Sequence, residues 1–186
     1  MAKSKEQAVE LCTRRWIKEF VIERNLCPFA RREWERDTIR YRLYLGCSSD
    51  DLLAVIDEEC SLLDVNAHTE TTMIIVPNML QDFLDFNDFL GLCEELINST
   101  SREGVYQVAS FHPRYQFAGT EPDDPENYTN RSPYPMLHLL REASVEIAIA
   151  NHPDIDSVPD SNVAKLKALG VSQLAAQLNE FLAVES

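Results

Sequence analysis

At 186 residues, 45% hydrophobic and 26% charged, the chain has the composition of one ordinary globular domain, spanning 1–186. A formal net charge of -14 and a pI near 4.6 exclude the broad cationic face by which proteins hold phosphates, so no nucleic acid and no membrane surface is an expected partner. The five cysteines are widely scattered with no CxxC pair, which argues against a zinc ribbon or a thioredoxin-type site.

The opening MAKSKEQAVELC lacks the apolar core of a signal peptide, so a cytoplasmic location with reduced thiols is expected. Val9, Cys12, Trp16 and Phe20 then recur at helical spacing, and a helix is predicted from about Glu6 to Asn25. PFARREWERD is a charged connection with a further helical turn. In TIRYRLYLG, Ile39, Tyr41, Leu43 and Leu45 alternate with Arg40, Arg42 and Tyr44, as in an edge strand with one wet face. Ser48 to Asp51 cap a helix whose apolar face carries Leu52, Ile56, Cys60 and Leu63. TTMIIVP lacks alternation and reads as a strand buried on both faces. Met79, Phe83, Phe86, Leu90, Cys93 and Ile97 mark the next helix, with Asp82, Asp85 and Asp88 on its solvated side.

VYQVASFHP is a third strand, and a long irregular segment from Pro113 to Pro135 follows it. A loop of that length usually binds something or is disordered; Tyr115, Phe117, Tyr128 and Tyr134 give it apolar surface to bury and argue for order. PYPMLHLLREASVEIAIAN reads mainly as helix with Pro135 in its first turn, although Val145, Ile147 and Ile149 also alternate as in a strand. Two helices close the chain, the first stopped at Gly170. Strand and helix alternate as in crossover-linked parallel pairs. The predicted fold class is therefore α/β: a small layered domain with a mainly parallel three-stranded, or slightly larger, sheet packed by helices.

Parallel strands would gather Gly46, Cys47, Pro77, Asn78 and His112 at one carboxyl edge, where open α/β sheets bind ligands. His112 is then either an acid–base group or a strand cap bonded to loop backbone. His138 and Glu142, four apart on a helix, would share a face as a base with its orienting carboxylate, as two metal ligands or as a local ion pair. Asn130 and Arg131 precede the expected helix start near Tyr134, and a helix N-terminus beside an arginine suits an anion. Arg114, Arg131 and Arg141 thus either bind a small anionic molecule or pair with the loop's own Glu121, Asp123, Asp124 and Glu126. Cys27, in NLCPFA, is either a structural thiol or a nucleophile or ligand activated by nearby arginines.

The segments NLCPFA, SFHPRYQFAG and NRSPYPMLHLLRE, with the closing helix before ALG, resemble an uncharacterised bacterial and plant family, domain-of-unknown-function family 1415, over about Val9 to Gly170. The resemblance implies no activity. It singles out Cys27, His112, Asn130, Arg131, Tyr134, His138 and Arg141 as motif positions without giving them roles.

The leading expectation is a small enzyme or ligand-binding protein for an anionic metabolite. His112 or His138 would act as acid or base, oriented by Glu142. Arg114, Arg131 and Arg141 would hold the anion, with Asn130 and Tyr134 placing it. A variant makes His112, His138 and either Cys27 or Glu142 ligands of an unspecified metal. From another class comes a non-catalytic interaction module, in which acidic helices face a partner and the motif residues lock the long loop.

Overall fold

The computed structural model describes residues 4–183. A four-stranded mixed sheet in the order β1-β2-β4-β3 lies between two helical layers. The strands are β1 (Ile39–Leu43), β2 (Thr71–Ile75), β3 (Tyr106–Phe111) and β4 (Met136–Arg141). Among the described strands only β1 and β2 are paired in parallel. β4 is hydrogen-bonded antiparallel to both β2 and β3, so the expected mainly parallel sheet is corrected to a mixed one. The inserted strand leaves β1, β2 and β3 running the same way. Their carboxyl ends therefore do share one edge, where Leu43 is level with Ile75, and Met136 with both Ile75 and Phe111.

β4 occupies the stretch expected to open a helix, while the stretch whose alternation looked strand-like is α5 (Glu142–Ala150). Two physical reasons apply. Residues before Pro133 and Pro135 are pushed toward extended backbone, and two neighbouring strands offer MLHLLR a complete ladder on both sides. In α5 the apolar positions do not define a buried face, and Ile147 and Ile149 are 58% and 43% exposed.

One face of the sheet is covered by α3 (Ser49–Val65) and α4 (Phe83–Ser99), which meet Ile74, Leu137 and Leu139 through Leu52, Ile56, Leu63, Phe86 and Phe89. Fully burying such a side chain contributes about 1.5–3 kcal/mol. Arg40 and Arg42 of β1 look onto this side. There they enclose the buried Glu59 carboxylate, Arg40 at 2.7 Å and Arg42 at 3.5 Å, with the Thr72 hydroxyl donating to it at 3.2 Å. The face of β1 expected to be wet is thus half covered by an ion-pair cluster. At the start of α4, Asp82 accepts from Leu84 N–H as the helix cap, whereas Asp85 and Asp88 are exposed.

The other face carries α1 (Lys5–Arg15), its continuation Trp16–Ile22, and α7 (Val171–Leu182). The long first helix was expected to run to Asn25. It winds more loosely from Trp16 as a π-helix, closing Leu26 N–H on Val21 O, and stops at Ile22, with Asn25 in the left-handed region at φ 50°. Val9, Cys12, Trp16 and Phe20 face the sheet and meet Met73, Ile75 and Met136. α2 (Ala30–Glu35) fills the connection to β1. α6 (Val158–Leu169) ends at Gly170, whose φ of 79° favours glycine. Among the described residues no helix is long and apolar enough to cross a membrane.

Candidate functional site

His112 leaves β3 at the shared edge and is fully buried. Its Nδ1 accepts from Arg114 N–H at 3.0 Å, so Nε2 carries the proton and donates to Leu80 O at 3.0 Å. The ring lies 5.4 Å from that of Phe83 and 5.1 Å from that of Phe86. Burial lowers its pKa and keeps it neutral. Both nitrogens are committed to backbone, as in a strand cap. The main chain extends the pattern: His112 N–H donates to Asn130 O at 3.1 Å, and the Asn130 amide donates to Ser110 O at 3.0 Å.

The loop is ordered through its own polar groups. Asn127, fully buried in a short 3-10 turn (Pro125–Thr129), accepts from Phe117 N–H at 3.0 Å and from the Thr120 hydroxyl at 2.8 Å, and donates to Glu121 O at 2.8 Å. Arg131 donates from Nε to Tyr115 O at 3.1 Å and from Nη2 to Pro122 O at 2.6 Å, with its guanidinium 4.5 Å from the centre of the Tyr128 ring. No helix starts at Tyr134, so the helix-terminus anion site expected beside Arg131 does not form. Tyr134 is buried in the core on the α1 side, and the Ser132 hydroxyl donates to Tyr134 O at 2.6 Å. Arg114 reaches Gln81 O at 2.5 Å and Asp82 at 3.5 Å. Thus Arg131 meets carbonyls, and Arg114 a carboxylate outside the loop.

Arg141 lies at the far end of β4, opposite Tyr106 in register, while His112 follows Phe111. Six residues of strand separate the two by about 20 Å. Arg141 closes the end of α3, donating to Leu63 O at 2.6 Å and Thr69 O at 3.1 Å; a cation there satisfies orphan carbonyls and suits the negative end of the helix dipole. His112, Arg131 and Arg141 therefore do not surround one pocket.

His138 is different. As a strand residue it does not share a helical face with Glu142, which opens α5. It sits half-buried on the α1 side, level with Met73 and Ala109, its ring 6.2 Å from that of Phe111. The Thr71 hydroxyl donates to Leu139 O at 2.5 Å, so its oxygen accepts from His138 Nε2–H at 2.7 Å. Burial pushes the ring's pKa down to about 4. His138 is thus a neutral imidazole whose Nδ1 lone pair has no hydrogen-bond partner among the described residues.

Cys27 packs half-buried against the α1-side core. Burial pushes its thiol up, against the opposing pull of the Phe29 and Ala30 N–H groups, the reverse of an activated nucleophile. None of Cys12, Cys27, Cys47, Cys60 and Cys93 is joined in a disulfide among the described residues. Among the described residues no group of three or more His, Cys, Asp and Glu could hold a metal ion, so the proposed ligand set does not assemble.

Sequence reasoning missed Arg14, Trp34, Asp37 and Tyr41, which with Glu33 and Ile39 line a cavity of about 230 Å³ where β1 begins. The available signal was a cluster of arginine, carboxylate and tryptophan in RREWERD, a segment too charged for a core helix. A family model described as a protein of unknown function (DUF1415) matches residues 8–176. Among curated proteins and solved structures, none matches the chain.

Proposed function

For this chain, which belongs to the DUF1415 family, we propose a non-catalytic binding module whose motif residues lock the 113–135 loop over the carboxyl edge of the sheet. The carrying observation is that His112, Arg131 and Arg141 spend their polar atoms on backbone partners. A preformed anion site would instead leave guanidinium donors open toward solvent. The surface left for a partner is the acidic outer side of α3 and α4, where Asp50, Asp51, Glu58, Asp85, Asp88, Glu94 and Glu95 are exposed. It suits a basic protein surface, which the net charge of -14 would steer toward it.

Arg131→Ala tests the reading. Loss of two charge-assisted bonds and the ring contact should lower unfolding free energy by about 2–3 kcal/mol in urea, and phosphate or citrate should shift the melting temperature of neither form. A small anion that stabilises the wild type but not the variant would restore the anion-binding reading.

A second reading is favoured at His138 alone, because a neutral imidazole with an open Nδ1 can accept a hydrogen bond from a ligand. Nitrogen-15 NMR should find the Nε2–H tautomer holding to well below pH 6. A ring protonated near neutrality removes this reading.

A further inference from the structure

We propose that the cavity between α1, α2 and the start of β1 binds a small zwitterion, an α-amino acid or a molecule bearing the same ammonium and carboxylate pair. At about 230 Å³ it falls below the roughly 300–1,000 Å³ of pockets for drug-sized ligands. Its occupant is therefore small.

The charges on its wall define the ligand. Arg14 gives its Nε to Glu10 at 2.8 Å, and among the described residues its two terminal nitrogens make no hydrogen bond. Asp37 is exposed, and among the described residues its carboxylate has neither hydrogen bond nor ion pair. The two opposite charges line one cavity without closing to the 4 Å of an ion pair. A ligand carrying both charges in reverse satisfies each of them: its ammonium on Asp37, its carboxylate on the terminal N–H groups of Arg14.

A third group points the same way. Tyr41 belongs to the wall, and its hydroxyl is buried with no hydrogen-bond partner among the described residues, a state that costs free energy unless a ligand relieves it. The Arg14 guanidinium lies 4.0 Å from the centre of the Tyr41 ring, so the two are held together. Burial pushes the hydroxyl's pKa up to about 12, leaving it a neutral donor for a carboxylate oxygen. Glu33 is already engaged by the Thr38 hydroxyl at 2.6 Å and by Arg32 at 3.3 Å, so Asp37 remains the open carboxylate. Asp37 takes φ 53° because it closes α2, its N–H donating to Trp34 O at 3.2 Å and Thr38 N–H donating to Glu33 O at 3.1 Å, so the helix end fixes its backbone beside the cavity. Trp34 and Ile39 supply an apolar wall for the ligand's side chain.

This site is independent of the locked loop, and Arg131→Ala does not bear on it. The test is calorimetry and thermal shift on the full chain with millimolar L-amino acids, using primary amines and simple carboxylic acids as single-charge controls. At least one amino acid should bind and raise the melting temperature while the controls do not. Asp37→Asn and Tyr41→Phe should each weaken that amino acid about tenfold, and Tyr41→Phe without ligand should melt no lower than the wild type. The proposal is overturned if no amino acid binds, if a single-charge control binds as well as the zwitterion, or if Tyr41→Phe binds unchanged. Should Asp37→Asn fail to fold, Tyr41→Phe still decides.

Discussion

The loop between β3 and β4 and the cavity at the start of β1 are built from similar parts, arginines beside tyrosines and carboxylates, yet they treat their polar atoms in opposite ways. In the loop, Arg131, Asn127 and His112 are bonded to carbonyls and N–H groups of their own surroundings. At the cavity, Arg14, Asp37 and Tyr41 keep donors and acceptors unspent among the described residues. An arginine-rich, aromatic-rich segment is therefore ambiguous until its bonds are traced. Saturated groups fix conformation; unsaturated ones in a concavity leave free energy for a ligand to gain.

The sharpest way to break the contrast is Asn127→Ala. Three bonds to a fully buried amide are lost and loop groups are left unpaired, so urea unfolding should show a loss of about 3–4 kcal/mol. A loss under about 1 kcal/mol would mean the loop is not held as described. Arg141→Ala should come next, at about 2 kcal/mol. Its signature is faster amide exchange in the last turn of α3, and unchanged exchange there would refute the capping role.

A different readout is pH. His138 has a folded pKa of about 4 against an ordinary 6.5, so between those values the unfolded chain binds the extra proton. Stability should fall as pH drops from 6.5 toward 4 and gain no further loss from this ring below that window. His138→Gln should flatten that part of the profile; an identical slope in the variant would place the ring's titration elsewhere. Smallest is Tyr41→Phe, expected within about 1 kcal/mol of the wild type and on the stabilising side, since the hydroxyl it removes is buried without a partner. A clear destabilisation would show that the hydroxyl is satisfied after all, and the two regions would no longer differ.

Local pattern was enough for much of the fold. Val9, Cys12, Trp16 and Phe20 marked α1, Ser48 and its following aspartates capped α3, and the unbroken apolar run TTMII announced a strand buried on both faces. These features depend on periodicity and capping, which are properties of neighbours in sequence. The shared edge at His112 was also legible, because strand direction followed from the order of elements. MLHLLR was not, since its apolar residues satisfy helical and extended templates alike and only the open ladders of β2 and β3 decide between them. That one reversal carried His138 away from Glu142 and placed Arg141 at the opposite end of the sheet from His112, both on the face covered by α3 and α4. Saturation of the loop arginines was equally invisible, because carbonyl partners such as Pro122 O and Tyr115 O are present in every sequence and become specific only in space. The cavity wall brings Arg14 of α1 beside Tyr41 of β1, and that meeting depends on how α1 lies across the sheet, a long-range packing choice that no window of the chain encodes.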